Sequence, residues 1–391
     1  MIEEIKHIAK ENISKIIALR QALHKNPELS FKEFETSKAV QEFLQKNNIS
    51  FKAGFVKTGI VAKIEGLNPE KNEVVLRADL DALPIQEENK TDYCSTNSGV
   101  MHACGHDVHT ASLLGSAIIL NKLKNKFEGT IKLIFQPGEE QLPGGAKLML
   151  EEGVLKTSPK ACIAQHVFPD LVAGKVGFKS GIYMASADEL HVEIRGKGGH
   201  AALPHLLSDP ILMTAQIINS LQQIISRNNN PDNPSVLSFG YIKANGATNV
   251  IPDKVILKGT FRTFDEEWRK IAHEKMKSIA ESICQSAGGE CDFNIKVGYP
   301  FLKNDVDVTE RARKAAENYL GENNVIDLDL RMTSEDFSYF SQVAPSCFYR
   351  LGTGDGKSTR RLHTSTFDID ESALLISSGL MAYIALEELS K

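Results

Sequence analysis

The chain has 391 residues, 42% of them hydrophobic and 24% charged, which excludes a disordered or fibrous protein and suits two domains. Its 45 basic and 50 acidic side chains leave a formal net charge of −5, without the basic footprint of a nucleic-acid or membrane-surface protein. The 6 cysteines (Cys94, Cys104, Cys162, Cys284, Cys291 and Cys347) are sparse and unpatterned, which points to free thiols in a reducing, cytoplasmic compartment rather than a disulfide framework.

Ile5, Ile8, Ile13, Ile16, Ile17 and Leu19 recur at helical spacing and predict an amphipathic N-terminal helix. Acids and bases interrupt that stretch, so no leader is expected there, and no run approaches ~20 apolar residues, so no membrane span is expected. A second helix follows Ser30, with Glu33 spaced for a capping box. Residues 59–64 and 73–78 are short β-branched runs between turn formers and predict strands. A helix over 107–123, a strand over 129–135, a helix over 145–152 and a buried strand over 161–166 follow. Strands alternating with helices predict an α/β fold with a mostly parallel sheet and helices on both faces.

Near Ser186 the pattern changes. Strand 189–195, helix 209–227, strands 235–243 and 254–263, helix 265–287 and strand 292–297 give the order β-α-β-β-α-β, a ferredoxin-like split. Asp209 with Pro210 starts the first of these helices, and Gly288-Gly289 stops the second. After Pro300 a helix over 308–320, a strand over 347–351 and a helix over 371–389 resume the α/β pattern. The expected organisation is a discontinuous domain, 1–185 with 298–391, and an inserted domain, 186–297.

His102-Ala103-Cys104-Gly105-His106-Asp107-Val108-His109 packs three His, one Cys and one Asp into eight residues. A thiolate and an imidazole suit zinc, manganese, cobalt or nickel, although a polar helix-capping loop with a buried Cys has the same composition. Glu139-Glu140 follows the strand over 129–135. Beside a metal, one carboxylate can ligate while its neighbour takes a proton from the activated water; elsewhere such a pair is a solvated loop. His166 ends an apolar strand, and His363 precedes the last helix. Each of these residues follows a presumed strand, on the rim where open α/β sheets assemble sites. Cys104, His106, Glu140, His166 and His363 exceed the needs of one catalytic ion and suit two. In the inserted domain, His200 lies in a Gly-rich turn, and Asn249 and Arg262 are further candidates; Arg is the natural fork for a substrate carboxylate.

Arg77-Ala78-Asp79-Leu80-Asp81-Ala82-Leu83-Pro84, His102–Asp107, Gln136-Pro137-Gly138-Glu139-Glu140, Gly198-Gly199-His200-Ala201 and Ser334-Glu335-Asp336-Phe337 together resemble the dinuclear metallo-amidohydrolases. That group holds hippurate hydrolases, N-acetyl-amino-acid deacetylases and hydrolases of indoleacetyl–amino-acid conjugates, within the aminoacylase and carboxypeptidase clan. The resemblance runs from about residue 20 to the C-terminus. It implies two divalent ions (zinc, manganese, nickel or cobalt) bridged by Cys104. Glu140 and His363 would complete one ion, and His106 and His166 the other. It implies Glu139 as general base, Asp79 as a carboxylate supporting the ligands at the site floor, and Glu335 as a structural carboxylate near the metals. Arg77 stands where the wider clan has a metal-binding His, and His106 serves instead. His200, Asn249 and Arg262 would contact substrate from the lid, His200 also stabilising the oxyanion and reaching a partner's site in a homodimer formed through the lid. The implied reaction is hydrolysis of the amide bond of an N-acyl amino acid. A carboxypeptidase or dipeptidase of the clan, and an N-acetyl-diaminopimelate deacetylase, are the alternatives. A non-catalytic metal-binding protein would have no use for Glu139.

Overall fold

The computed structural model describes residues 1–357 and 360–391. The chain divides into two compact units. The larger contains Met1–Tyr183, Lys303–Leu330 and Asp336–Lys391; the smaller contains Met184–Leu302 and Arg331–Glu335.

Strands contribute to both units. In the larger unit they are β1 (Ser50–Phe55), β2 (Gly59–Glu65), β3 (Glu73–Asp79), β4 (Thr130–Gln136), β5 (Ala161–Val172) and β6 (Val176–Phe178). The main sheet of the smaller unit is built from β7 (Asp188–Arg195), β8 (Ser235–Ala244), β9 (Lys254–Thr263) and β10 (Glu290–Val297). Two more, β11 (Val325–Asp327) and β12 (Ser346–Gly354), return to the larger unit. Its sheet runs β1-β2-β4-β3-β5-β12-β6-β11. The central strands β4, β3, β5 and β12 are mutually parallel, while β1, β2 and β6 add antiparallel pairings at the margins.

A parallel centre must be covered on both faces, and its strands read as nearly unbroken apolar runs for that reason. Val74, Leu76 and Ala78 of β3 join the main core, where β3 packs against the helices α3 (His106–Leu123) and α9 (Ala373–Ser390), and α1 (Ile2–Lys25) packs on both of those helices. Val75 and Arg77 alternate to the other face, where the short helices α4 (Gly145–Glu151) and α8 (Ser338–Val343) pack on β4 and β12. Helix α9, on which α7 (Val306–Leu320) packs, is long and apolar enough to cross a membrane by length and composition, but 78% of it is buried inside the protein, as in a core helix.

Helix α2 (Phe34–Lys46) begins without the expected capping box. Glu33 takes the cap position, but its carboxylate turns inward and accepts from Thr58, while Ser30 donates to Asp81 at 2.6 Å. The cap's work passes to Glu28, which accepts from the amides of Glu35 and Thr36.

The four-stranded sheet of the smaller unit is antiparallel throughout, in the order β8-β9-β7-β10, with its own core under α5 (Pro210–Gln223) and α6 (Glu266–Ser286). Asp209 and Asp265 accept from the first amides of these helices, as N-caps do. Both ends of the insertion are tied together by Arg269, which donates to the carbonyls of Ala187 and Gly298 and to Asp188. The segment Arg331–Glu335, placed in the other domain by the sequence pattern, belongs to this unit: Arg331 accepts from the amide of Ala185, and Arg262 donates to the Met332 carbonyl and Ser334 Oγ.

Candidate metal centre

The parallel strands bring their C-terminal ends to one rim, and the chemistry-bearing residues follow from there. Glu139 and Glu140 sit just beyond β4, Asp81 just beyond β3, and His363 in the loop after β12. Cys104 and His106 flank Gly105, the N-cap of α3. Gly105 has φ +80, and a Cβ there would lie 2.5 Å from Val167, so only glycine lets the two ligand-type side chains emerge side by side. His363 also has positive φ, +60, and its amide donates to the Ala103 carbonyl at 2.8 Å. That strained backbone fixes His363 against the Cys104 loop. His166 departs from expectation: it lies within β5, not at its end, because β5 continues to Val172 in register with β12.

Cys104 Sγ lies 3.4 Å from both His166 Nε2 and His363 Nε2. Two groups of donor atoms share it, Cys104–His106–His166 and Cys104–Glu140–His363, and within each the donors lie inside 4.8 Å of one another. His166 Nδ1 donates to the Val167 carbonyl at 2.8 Å, which leaves Nε2 as a lone-pair donor toward Cys104. His106 Nε2 is buried without a hydrogen-bond partner; Asp79, Glu139 and Glu140 stand 3.7, 4.0 and 4.0 Å away. An orphaned buried nitrogen is costly, and a cation among these donors would satisfy it. The mix of sulfur, nitrogen and oxygen fits two divalent ions sharing the thiolate.

Of the remaining motif residues, His109 is committed elsewhere. Its Nε2 accepts from the Val167 amide at 2.9 Å, so Nδ1 carries the proton that it gives to Asp79 at 2.6 Å. His102 joins neither donor group. Burial pushes its pKa down to about 4, which keeps it neutral.

The supporting carboxylates are fully buried. Burial raises the pKa of Asp79, but His106, His109 and Arg77 together hold it well below the usual carboxylate range. Arg77 also donates to Gln136 and to Asp336, at 2.9 and 2.7 Å. Asp336 in turn accepts from Gln136 and the Ala146 amide, and its own amide points to Glu139 Oε1 at 3.4 Å. Asp81 faces His106 Nδ1 at 3.2 Å and accepts the backbone amides of Glu139 and Glu140, each at 3.0 Å. Burial and the charge of Glu140 push the Cys104 thiol up. Asp81, Asp336 and Gln136 stand inside the motifs that carry the resemblance, but no spacing signal in the sequence points to their roles.

A family model described as Peptidase family M20/M25/M40 matches residues 75–387. The chain belongs to this family. Among M20 relatives, it is 38% identical over 374 residues to an N-acetylcysteine deacetylase of Bacillus subtilis, covering 95% of this chain and 96% of that one. It is 38% identical over 392 residues to thermostable carboxypeptidase 2 of Saccharolobus solfataricus, covering 99% and 98%. A solved structure, a dinuclear metal-binding peptidase of the M20 family from Bacillus subtilis, superposes with a TM-score of 0.84 at 36% identity, covering 97% and 99%. Membership makes the protein a hydrolase, and the dinuclear relative accords with the shared-thiolate donor set.

The other M20 candidate residues lie in the smaller unit. His200 is exposed in a two-residue strand, Gly199–His200, paired with Val250–Ile251, and Asn249 immediately precedes that partner strand. The Asn249 carbonyl accepts from Ala201 at 3.0 Å, so the two candidates share one ribbon. Arg262 is on β9 and contacts the returning Arg331–Glu335 segment. Glu335 is buried at the end of that segment.

Proposed function

We propose that this M20 protein hydrolyses the amide bond of N-acyl amino acids, releasing a carboxylic acid and a free amino acid. The observation that carries the reading is Glu139: a buried carboxylate beside two donor groups joined at Cys104. Cys104, His106 and His166 would hold one divalent ion, and Cys104, Glu140 and His363 the other. When bound, the ions supply Lewis acidity at the scissile carbonyl and acidify the attacking water. Glu139 takes the proton of that water and returns it to the leaving nitrogen. Asp79 and Asp81 keep His109 and His106 oriented while this happens. On the smaller unit, Arg262 is assigned to the substrate carboxylate, Asn249 to substrate binding and His200 to the developing oxyanion. The protein is expected to act in the cytoplasm as a homodimer formed through the smaller unit.

N-acetyl-, N-benzoyl- and longer N-acyl amino acids, assayed on chelated protein with zinc, manganese, nickel or cobalt restored one at a time, test this directly. Turnover should appear only with metal, and Glu139→Gln should lower kcat by about 10²–10⁴-fold while two ions per chain are retained. Normal turnover by that variant would remove Glu139 as the base. Because a carboxypeptidase is among the similar proteins, dipeptides belong in the same panel. Faster cleavage of dipeptides than of acyl amino acids would favour that second reading.

A further inference from the structure

The segment between β4 and α4 carries Glu139 and Glu140 but belongs to no helix or strand, so its amides have no ladder to satisfy them. Side chains do so instead. Gly138 N–H donates to Glu33 Oε1 at 2.9 Å, Glu139 N–H to Asp81 Oδ1 at 3.0 Å and Glu140 N–H to Asp81 Oδ2 at 3.0 Å. Three successive amides are thus taken by two carboxylates from distant parts of the chain.

Neither carboxylate is loosely held. Glu33 Oε1 also accepts the Phe31 amide at 2.8 Å, and Oε2 accepts the Thr58 hydroxyl at 2.8 Å. Asp81 Oδ2 also accepts the Ser30 hydroxyl at 2.6 Å. Both residues are buried, Glu33 completely. Two buried acids this close oppose each other's charge, and burial together with Asp81 pushes Glu33 up to about 7. An apolar side chain at either position would avoid that cost but leave buried amides without acceptors.

We propose that Glu33 and Asp81 form a clamp that positions Glu139 and Glu140 by fixing the backbone from Gly138 to Glu140. Both are positioning residues. Glu33 reaches only the Gly138 amide of this segment, so it isolates the effect of backbone placement from any contact with the donor atoms. The catalytic consequence rests on the amidohydrolase reading above; the structural consequence does not.

The test compares Glu33→Leu with Glu33→Gln. Leucine removes every acceptor, whereas glutamine keeps an oxygen for the Phe31 and Gly138 amides and lets the Thr58 hydroxyl turn to accept. Hydrogen exchange of peptides covering residues 136–141 is the first readout. In Glu33→Leu it should be about tenfold faster or more, with β3 and β5 unchanged, and Glu33→Gln should restore it. The second readout is kinetic: kcat should fall about 10²-fold in Glu33→Leu, with KM and two bound ions kept, and recover in Glu33→Gln, because a small misplacement of a catalytic group costs rate rather than binding. Unchanged exchange in Glu33→Leu, or a glutamine variant no better than leucine, overturns the clamp. If the wild-type protein cleaves no N-acyl amino acid, the amidohydrolase reading fails while the exchange result still decides the clamp. Should Glu33→Leu not fold, Thr58→Val takes its place: exchange over 136–141 should quicken several-fold, and no change overturns the proposal.

Discussion

His24 is where pH should act on stability. It lies fully buried on α1, with Nδ1 2.8 Å from Asp107, whose carboxylate also binds Arg20 at 2.7 Å. Burial alone would lower the His24 pKa. The Asp107 charge and hydrogen bonds to Asp107 and Glu87 overcome it and raise the value to about 9. A folded pKa above the unfolded value of ~6.5 stabilises fully below pH ~6.5, and that stabilisation is lost as pH rises through about 9. The unfolding free energy in urea should therefore fall by up to about 3 kcal/mol between pH 6.5 and 9.5, and fall less in His24→Gln. Equal slopes for the two proteins would show that His24 is not the titrating group. His24 also shows what single residues conceal in a sequence. Cys104–His106 and Glu139–Glu140 were legible because each presents ligand-type side chains a few positions apart. His24, Glu33, Asp81 and Asp336 were not, because each acts by accepting or donating to segments far along the chain. Glu33 was read as a helix cap because its spacing from Ser30 fits one, and spacing carries no information about which way a side chain turns.

At the scale of elements, the helix α4 and the Glu139 loop are built against each other. Its first residue, Gly145, donates its amide to the Gly138 carbonyl at 3.0 Å. A Cβ on Gly145 would stand 1.7 Å from the Pro137 carbonyl oxygen, a backbone atom that cannot swing aside. Gly145→Ala must therefore push the loop away from α4. The expected result is a kcat lowered about 10²-fold together with a lower melting temperature. Gly240→Ala, where a Cβ would meet nothing within 4 Å, is the matched control and should change neither. Activity preserved in Gly145→Ala would mean that the loop tolerates displacement. The elements themselves were mostly legible, since long helices and central strands carry strong periodicity. The missed strands are short. β6 and β11 have three residues each, too few to show alternation, and form because β12 and then β6 offer them an edge. β1 does alternate, with Phe51, Ala53 and Phe55 half-buried and Ser50, Lys52 and Gly54 exposed, but it is only six residues long and carries a glycine of positive φ inside it.

At the scale of the whole molecule, the donors are unevenly distributed. Cys104, His106, Glu140, His166 and His363 all belong to the larger unit, while the smaller has a separate core built on Leu190, Ile217, Phe261 and Met276. An ion that binds only the folded donors stabilises the unit that holds them, by about 2.7 kcal/mol at a hundred times its Kd. Calorimetry should then resolve two components that respond to different perturbations. A chelator should lower the melting of the larger unit by about 5–10 °C and leave the smaller unit's component in place. Asp265→Ala should do the reverse. It deletes the side chain that accepts from Glu267 and Trp268 at the start of α6, worth about 1 kcal/mol, and touches no metal donor. A shift of both components under either perturbation would show that the two units unfold as one.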